Sequence, residues 1–188
     1  MNRPKLFIDV DGVILANYGN HFQMRPYVGT FLKRALEIFD CYWLTCHRRE
    51  SVDAICRLNS ICANDIQYAD WNGGRYDKVD GVLNTIRPNK SFPLSPQIVS
   101  RKEEWYVIED EYPLDEGKRF LEETKIIDRW IIIPKRTPHA LLQAKRMIDY
   151  YIAKGGRLTP HISWAWQLAK EKEDVKKKTE KFERRGKT

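Results

Sequence analysis

Two acidic residues separated by one position follow the first apolar stretch of the chain. The apolar residues 6–8 precede Asp9-Val10-Asp11, and Gly12 comes next. Side chains two apart on an extended segment project to the same side, and glycine lets the backbone turn sharply behind them. One carboxylate of such a pair can attack a phosphoryl group, while the other moves protons to and from the reacting oxygens. The alternative is an acid pair at a turn after a strand, which α/β proteins commonly contain.

Further polar residues stand where a strand is predicted to end or a helix to begin. Thr45 ends the apolar segment that starts at Cys41, and Lys78 opens a helical pattern after a glycine-rich turn. The acidic run 109–111 follows the apolar segment that starts at Trp105. Ligands of parallel sheets bind at the carboxyl ends of the strands, so these positions are candidates for one common site.

This ordered set resembles the four motifs of the haloacid dehalogenase (HAD) superfamily, and the resemblance covers roughly residues 5 to 135. It implies a HAD-type phosphatase that uses Mg²⁺ and an aspartyl-phosphate intermediate. Asp9 would be the nucleophile and a metal ligand, and Asp11 the general acid/base with its backbone carbonyl on the metal. Thr45 would hydrogen-bond a phosphoryl oxygen, Lys78 would neutralise that oxygen and keep Asp9 ionised, and Asp110 would complete the Mg²⁺ site.

The fourth motif departs from the usual pair of aspartates. Either Glu109-Asp110 or Asp110-Glu111 can be aligned with it, and Asp110 is acidic in both alignments. Asp110 is therefore the predicted ligand. Glu109 and Asp115 stay open as additional supports of the metal, and Glu111 and Asp115 also fit a favourable charge near a helix N-terminus.

The spacing of the motifs leaves no room for a large lid. Between Asp11 and Thr45 there are 33 residues (12 to 44), and between Thr45 and Lys78 there are 32 (46 to 77). The chain therefore resembles the capless branch of the superfamily, and residues 25–32 (RPYVGTFL) resemble the RPGxxxFL segment of its members that act on proteins and nucleic-acid ends. The favoured substrate is a nucleotide or a nucleic-acid phosphate end. A phosphoprotein is the alternative, as is a nucleic-acid-binding module without catalysis.

Several residues beside the motifs are candidates for substrate binding. Cys46, His47 and Arg48 follow Thr45 directly, and an arginine fork suits a phosphate. The alternative for Arg48 is a solvated helix start. A flap after the first motif carries polar and aromatic residues that could stack on a base or pack on their own loop: Asn17, Tyr18, His21 and Phe22.

The elements that position these residues alternate between short apolar runs and segments of helical spacing. Strands are predicted at residues 6–10, 41–45, 66–68, 105–109 and 126–133. Helices are predicted at 27–39, 50–60, 78–86 and 138–153, with another opening near Pro113 and a long loop at 88–103. Near-continuous apolar strands favour a three-layer α/β fold with a five-stranded parallel sheet and no large cap.

Composition places the chain among globular proteins. Its 188 residues suit one domain, predicted at 1–158, followed by a C-terminal helix and basic tail at 159–188. Residues 168–188 hold nine Lys/Arg and five Asp/Glu, which supply +4 (9 − 5) of the net charge of +7. The four cysteines form no CxxC pair, which favours reduced thiols and a cytoplasmic location. No segment is long and apolar enough for a membrane span, and the oligomeric state stays open.

Overall fold

Five short strands form one parallel sheet in the computed structural model of the chain. The structure describes residues 3–17, 21–71, 78–86, 104–111, 118–119, 122–123, 129–133 and 139–153. The sheet has the order β5-β4-β1-β6-β7. Its strands are β1 Lys5–Ile8, β4 Asp40–Trp43, β5 Ile66–Tyr68, β6 Trp105–Glu109 and β7 Trp130–Ile132. A separate antiparallel hairpin, β2 Leu15–Asn17 and β3 Phe22–Met24, follows β1 directly.

Helices cover both faces of this sheet. They are α1 Val28–Ile38, α2 Arg49–Leu58, α3 Lys78–Ile86 and α4 Ala140–Ala153. Helices α1 and α4 pack against each other on one face. Helix α3 packs on the other face, where Val82 and Leu83 meet Phe7 and Val107 of the two central strands. The predicted three-layer α/β fold with a five-stranded parallel sheet is therefore confirmed.

The central strands are buried along their whole length because helices lie on both of their faces. Every residue of β6 is buried, and only Lys5 of β1 is half-exposed. Phe7 and Tyr42 stack with ring centroids 5.2 Å apart. Burial of a large apolar side chain contributes roughly 1.5–3 kcal/mol relative to exposure, so the strands that carry the site are anchored by their buried side chains.

The strand order creates a crevice at the carboxyl edge of the sheet. The chain moves from β1 to β4 and β5 on one side, then returns to place β6 and β7 on the other. The direction reverses between β1 and β6, and such reversal points are where open α/β sheets bind ligands. The residues after β1, β4 and β6 therefore converge on one crevice.

The sequence predictions for the elements differ from the structure mainly at boundaries. Strand β1 ends at Ile8 rather than residue 10, although the Asp9 N–H still bonds the Ile108 carbonyl at 3.0 Å. Within the strand predicted at 126–133 the structure describes residues 129–133, and β7 covers Trp130–Ile132. The loop at 88–103, the helix start at Pro113 and the tail at 159–188 lie outside the described residues.

Within the described parts of the segments that follow Asp11 and Thr45, no separate lid domain is present. The first segment holds the hairpin and α1, and the second holds α2, a single 3-10 turn at Ala63–Asp65 and β5. Among the same described residues, no helix has the length and apolar character required to cross a bilayer.

Candidate active site

Asp9 lies at the carboxyl end of β1 in a nearly water-free position. Its relative exposure is 3%. A carboxylate there has lost most of its hydration, and burial raises the pKa of Asp9 above its usual value, although the charge on Lys78 opposes that shift. Most buried carboxylates need a paired cation or metal to stay charged. The surroundings of Asp9 must therefore supply positive charge.

Lys78 supplies part of that charge from the first residue of α3. Its Nζ lies 3.0 Å from Asp9 Oδ1 and 2.6 Å from Glu109 Oε2. Burial lowers the pKa of Lys78, but the two carboxylates outweigh burial and raise the pKa above its usual value. One ammonium group thus bridges the ends of β1 and β6.

Glu109 is the least solvated acid of the site, with 2% exposure. Burial raises its pKa to about 9, the negative charge of Asp9 adds to that effect, and Lys78 opposes it. Lys78 contacts two of the acids of the site, Asp9 and Glu109, and Asp110 follows Glu109 directly in the chain. The raised pKa of Glu109 indicates that negative charges are crowded at this position, and a divalent cation bound there would relieve that crowding.

The three carboxylates lie close enough together that they could hold a metal ion. Asp9, Glu109 and Asp110 each offer an oxygen, and these oxygens lie within 4.8 Å of one another. Mg²⁺ takes oxygen ligands at about 2.0–2.1 Å, which keeps two ligands no more than about 4.2 Å apart, so the cluster needs to contract by less than about 1 Å. Glu109 has both oxygens engaged, one with Lys78 and one with the Asp110 N–H at 3.1 Å. Asp9 and Asp110 are therefore the better placed ligands.

A tight turn behind Asp11 makes room for the Asp110 carboxylate. Gly12 has φ +76°, and a Cβ built there would lie 1.7 Å from Asp110 Oδ2. The Gly12 N–H bonds the Leu15 carbonyl at 2.7 Å. The buried side chain of Arg25 donates hydrogen bonds from Nε and Nη2 to the Gly12 carbonyl oxygen, at 3.1 and 2.6 Å. Glycine is required here both for its backbone conformation and for the space that it leaves.

Asp11 occupies a different environment from Asp9. Its side chain is 51% exposed and does not belong to the cluster of three carboxylates. Asp11 Oδ1 instead lies 2.8 Å from His47 Nε2. Two acids two positions apart thus differ in solvation, because Asp9 is buried beside a cation and Asp11 faces solvent.

The loop after β4 holds the remaining predicted site residues. Thr45 is half-buried, and its Oγ1 accepts a hydrogen bond from the His47 N–H at 3.2 Å. Cys46 and Arg48 are exposed. Arg48 immediately precedes α2 and makes no side-chain cap on it.

The hairpin β2–β3 lies in the segment for which the sequence predicted a flap. His21 is exposed, and Phe22 is 64% exposed. Tyr18, the side chain of Asn17 and the whole of Asp115 lie outside the described residues. Glu111 is exposed, and its carboxylate is not in the described acidic cluster, so the Glu109-Asp110 alignment of the fourth motif fits the geometry better.

Sequence reasoning did not identify two further supports of the site. Arg25 was noted only as part of a segment, although its buried guanidinium fixes the turn after Asp11. Trp71 lies with its ring centroid 5.9 Å from Lys78 Nζ, and Gly81 on α3 leaves space for it. A glycine inside a helix was the available signal for that close approach.

Comparison with known proteins gives little beyond this geometry. No protein-family model matches the chain, and no curated protein matches it. Among solved structures, the chain is similar to that of Fcp1, an RNA polymerase II CTD phosphatase of fission yeast, bound to beryllium fluoride. The TM-score is 0.42 at 12% sequence identity, and the match covers 94% of this chain and 56% of that chain. The chain therefore spans about half the length of this neighbour.

Proposed function

We propose that the chain is a Mg²⁺-dependent phosphohydrolase of the HAD superfamily that cleaves phosphomonoesters through an aspartyl-phosphate on Asp9. One observation carries the proposal. The buried carboxylate of Asp9 lies where the strand order reverses between β1 and β6, and it contacts Lys78. A second acid two positions on, Asp11, is exposed to solvent. This arrangement separates a nucleophile from a proton-transfer group, as acyl-phosphate chemistry requires.

In the first step an Asp9 carboxylate oxygen attacks the phosphorus atom. A bond forms between that oxygen and phosphorus, and the bond from phosphorus to the leaving oxygen breaks. Asp11 gives its proton to the leaving oxygen, so the product departs as an alcohol. Lys78 lies 3.0 Å from Asp9 and stabilises both the ionised nucleophile and the charge on the phosphoryl oxygens.

In the second step water attacks the phosphorus atom of the aspartyl-phosphate. Asp11 takes a proton from the water, the bond between phosphorus and Asp9 breaks, and inorganic phosphate leaves. The 51% exposure of Asp11 suits this role, because the group must meet both the leaving oxygen and a water molecule. The Thr45 hydroxyl accepts the His47 N–H and keeps its own hydrogen available for a phosphoryl oxygen.

The acidic cluster fits a magnesium ion. Asp9 and Asp110 would hold it together with the Asp11 backbone carbonyl, and Glu109 would hold Lys78 in place. The ion would neutralise charge on the transferring phosphoryl group, which is the main requirement of phosphoryl transfer. The closeness of the carboxylate oxygens of Asp9, Glu109 and Asp110, which lie within 4.8 Å of one another, supports this assignment.

For the substrate we propose a nucleotide or a nucleic-acid phosphate end. The loop after Thr45 presents exposed Arg48, and the hairpin presents exposed Phe22. Arginine suits a phosphate, and an exposed aromatic ring suits stacking with a base. The net charge of +7 adds a general attraction for polyanions.

The test is phosphate release from nitrophenyl phosphate with Mg²⁺ and with EDTA. Wild-type protein should turn over only with Mg²⁺, and Asp9→Asn should lose turnover because an amide is not a competent nucleophile. Lys33→Ala, an exposed position on α1, is the matched control and should behave as wild type. A screen of nucleotides, phosphorylated oligonucleotides and phosphopeptides then ranks the substrates. Full activity of Asp9→Asn would refute the mechanism, and a preference for phosphopeptides would refute the substrate class.

A further inference from the structure

His47, in the loop after β4, contacts Asp11, the proposed proton-transfer acid in the turn after β1. His47 Nε2 lies 2.8 Å from Asp11 Oδ1, across 36 positions of sequence. Both side chains are partly exposed, at 32% and 51%. An exposed pair of this kind adds little to stability, so its consequence lies in orientation rather than in folding.

The direction of this hydrogen bond follows from the donor inventory. An ionised carboxylate only accepts hydrogen bonds, so the hydrogen lies on His47 Nε2 when Asp11 is charged. The backbone of the same histidine is fixed separately, since its N–H donates to Thr45 Oγ1 at 3.2 Å. His47 therefore connects the acid/base residue with the hydroxyl expected to bind phosphate.

We propose that His47 is a positioning residue for Asp11 and thereby for proton transfer to the leaving group. The inference rests on the phosphohydrolase function proposed above. In the His47 tautomer with its hydrogen on Nε2, the histidine donates to Oδ1 also when Asp11 is protonated, so the transferable proton of Asp11 lies on Oδ2. Proton transfer requires a donor within hydrogen-bond reach of the receiving oxygen. Fixing the Asp11 rotamer and the position of its proton therefore increases the fraction of complexes in which the proton can be transferred.

The consequence depends on the basicity of the leaving group. In the first step the bond from phosphorus to the leaving oxygen breaks, and that oxygen takes the proton from Asp11 Oδ2. A dinitrophenolate leaves readily as an anion, whereas phenolate and alkoxides need the proton. Loss of the histidine should therefore slow the reaction of phenyl and alkyl phosphates selectively.

The experiment compares His47→Ala and His47→Gln in the full-length protein with saturating Mg²⁺. Glutamine keeps an N–H donor at a similar reach, and alanine does not. The quantity measured is kcat/KM for dinitrophenyl, nitrophenyl and phenyl phosphate, because it reports the steps up to departure of the first product. For His47→Ala we expect kcat/KM to fall by no more than about threefold on the dinitrophenyl ester and by roughly 10- to 100-fold on the phenyl ester. The larger loss is only part of what removing a general acid altogether would cause. His47→Gln should stay within a few-fold of wild type on every ester.

Two results would overturn the inference. The first is an equal loss on all three esters in His47→Ala, which would mean a general structural or phosphate-binding role. The second is wild-type behaviour of His47→Ala throughout the series. Failure of the proposed function is recognised separately, by wild-type protein that releases no phosphate or by Asp9→Asn that keeps full activity. Thermal unfolding of both histidine variants shows whether the comparison is made on folded protein.

Discussion

Replacing Gly12 by alanine tests whether the turn behind Asp11 sets the position of the metal ligand. A Cβ at this residue would lie 1.7 Å from Asp110 Oδ2, 2.2 Å from its Cγ and 2.7 Å from its Cβ. All three distances are below any ordinary contact, and the shortest involve most of the Asp110 side chain. The carboxylate cannot escape by rotating its far end alone, so Asp110 must leave its place beside Asp9 and Glu109.

The energetic cost has two parts. Gly12 has φ +76°, and a residue with a Cβ in this left-handed region costs roughly 1–2 kcal/mol. For a protein of this size each kcal/mol lowers Tm by roughly 2–4 °C, so the backbone alone predicts a fall of about 2–8 °C. Displacement of Asp110 adds a loss of Mg²⁺ affinity, since one of the two favoured carboxylate ligands moves.

Thermal unfolding in EDTA measures the first part, and calorimetric titration with Mg²⁺ measures the second. Gly29→Ala is the matched control, because its Cβ meets the end of the Asn59 side chain at 2.9 Å and its φ is not in the positive region. The control should bind Mg²⁺ as wild type does. If Gly12→Ala keeps both the Tm and the Mg²⁺ affinity of wild type, the assignment of this turn and of Asp110 is wrong.

Three further predictions concern the metal, pH and the tail. Asp110→Ala should raise the Mg²⁺ concentration for half-maximal activity by at least about tenfold, as removal of even an indirect metal partner does; an unchanged value would move the ligand to Glu109. In EDTA the pKa of Glu109 is raised to about 9 from an ordinary 4.5, so between pH 4.5 and 9 the folded state binds more protons than the unfolded chain does. The free energy of unfolding should therefore fall as the pH rises through that window. Glu109→Gln should flatten this fall in Tm, and an identical slope would contradict the assignment. Deletion of residues 170–188 should leave nitrophenyl phosphate turnover unchanged but raise the apparent KM for a phosphorylated oligonucleotide at low salt; equal oligonucleotide kinetics at every salt concentration would make the tail a solubilising appendage.

Topology is the part of this molecule that its sequence predicts best. The buried strands are nearly continuous apolar runs, and their carboxyl ends must meet once the sheet is parallel. The closeness of Asp9 and Lys78 follows from that topology and from the motif order. The hairpin β2–β3 was not predicted as strands, because two three-residue strands are too short to show a period-two pattern.

Individual side-chain partners could not be read in the same way. Whether Glu109 or Glu111 joins Asp110 depends on which side of the chain faces the crevice after β6, and both are acidic. The contact between His47 and Asp11 depends on two loop conformations and two rotamers, none of which leaves a periodic signal. The catalytic and metal-binding roles are therefore predictions that require biochemical tests, and they concern Asp9, Asp11, Thr45, Lys78 and Asp110.

The most direct test of the central claim is to trap the phosphorylated enzyme. Wild-type protein is mixed with Mg²⁺ and dinitrophenyl phosphate, quenched in acid within one turnover, and analysed by mass spectrometry of its peptides. We expect one added phosphoryl group, located on Asp9, and none in Asp9→Asn. A phosphoryl group on another residue, or steady turnover by Asp9→Asn, would contradict it.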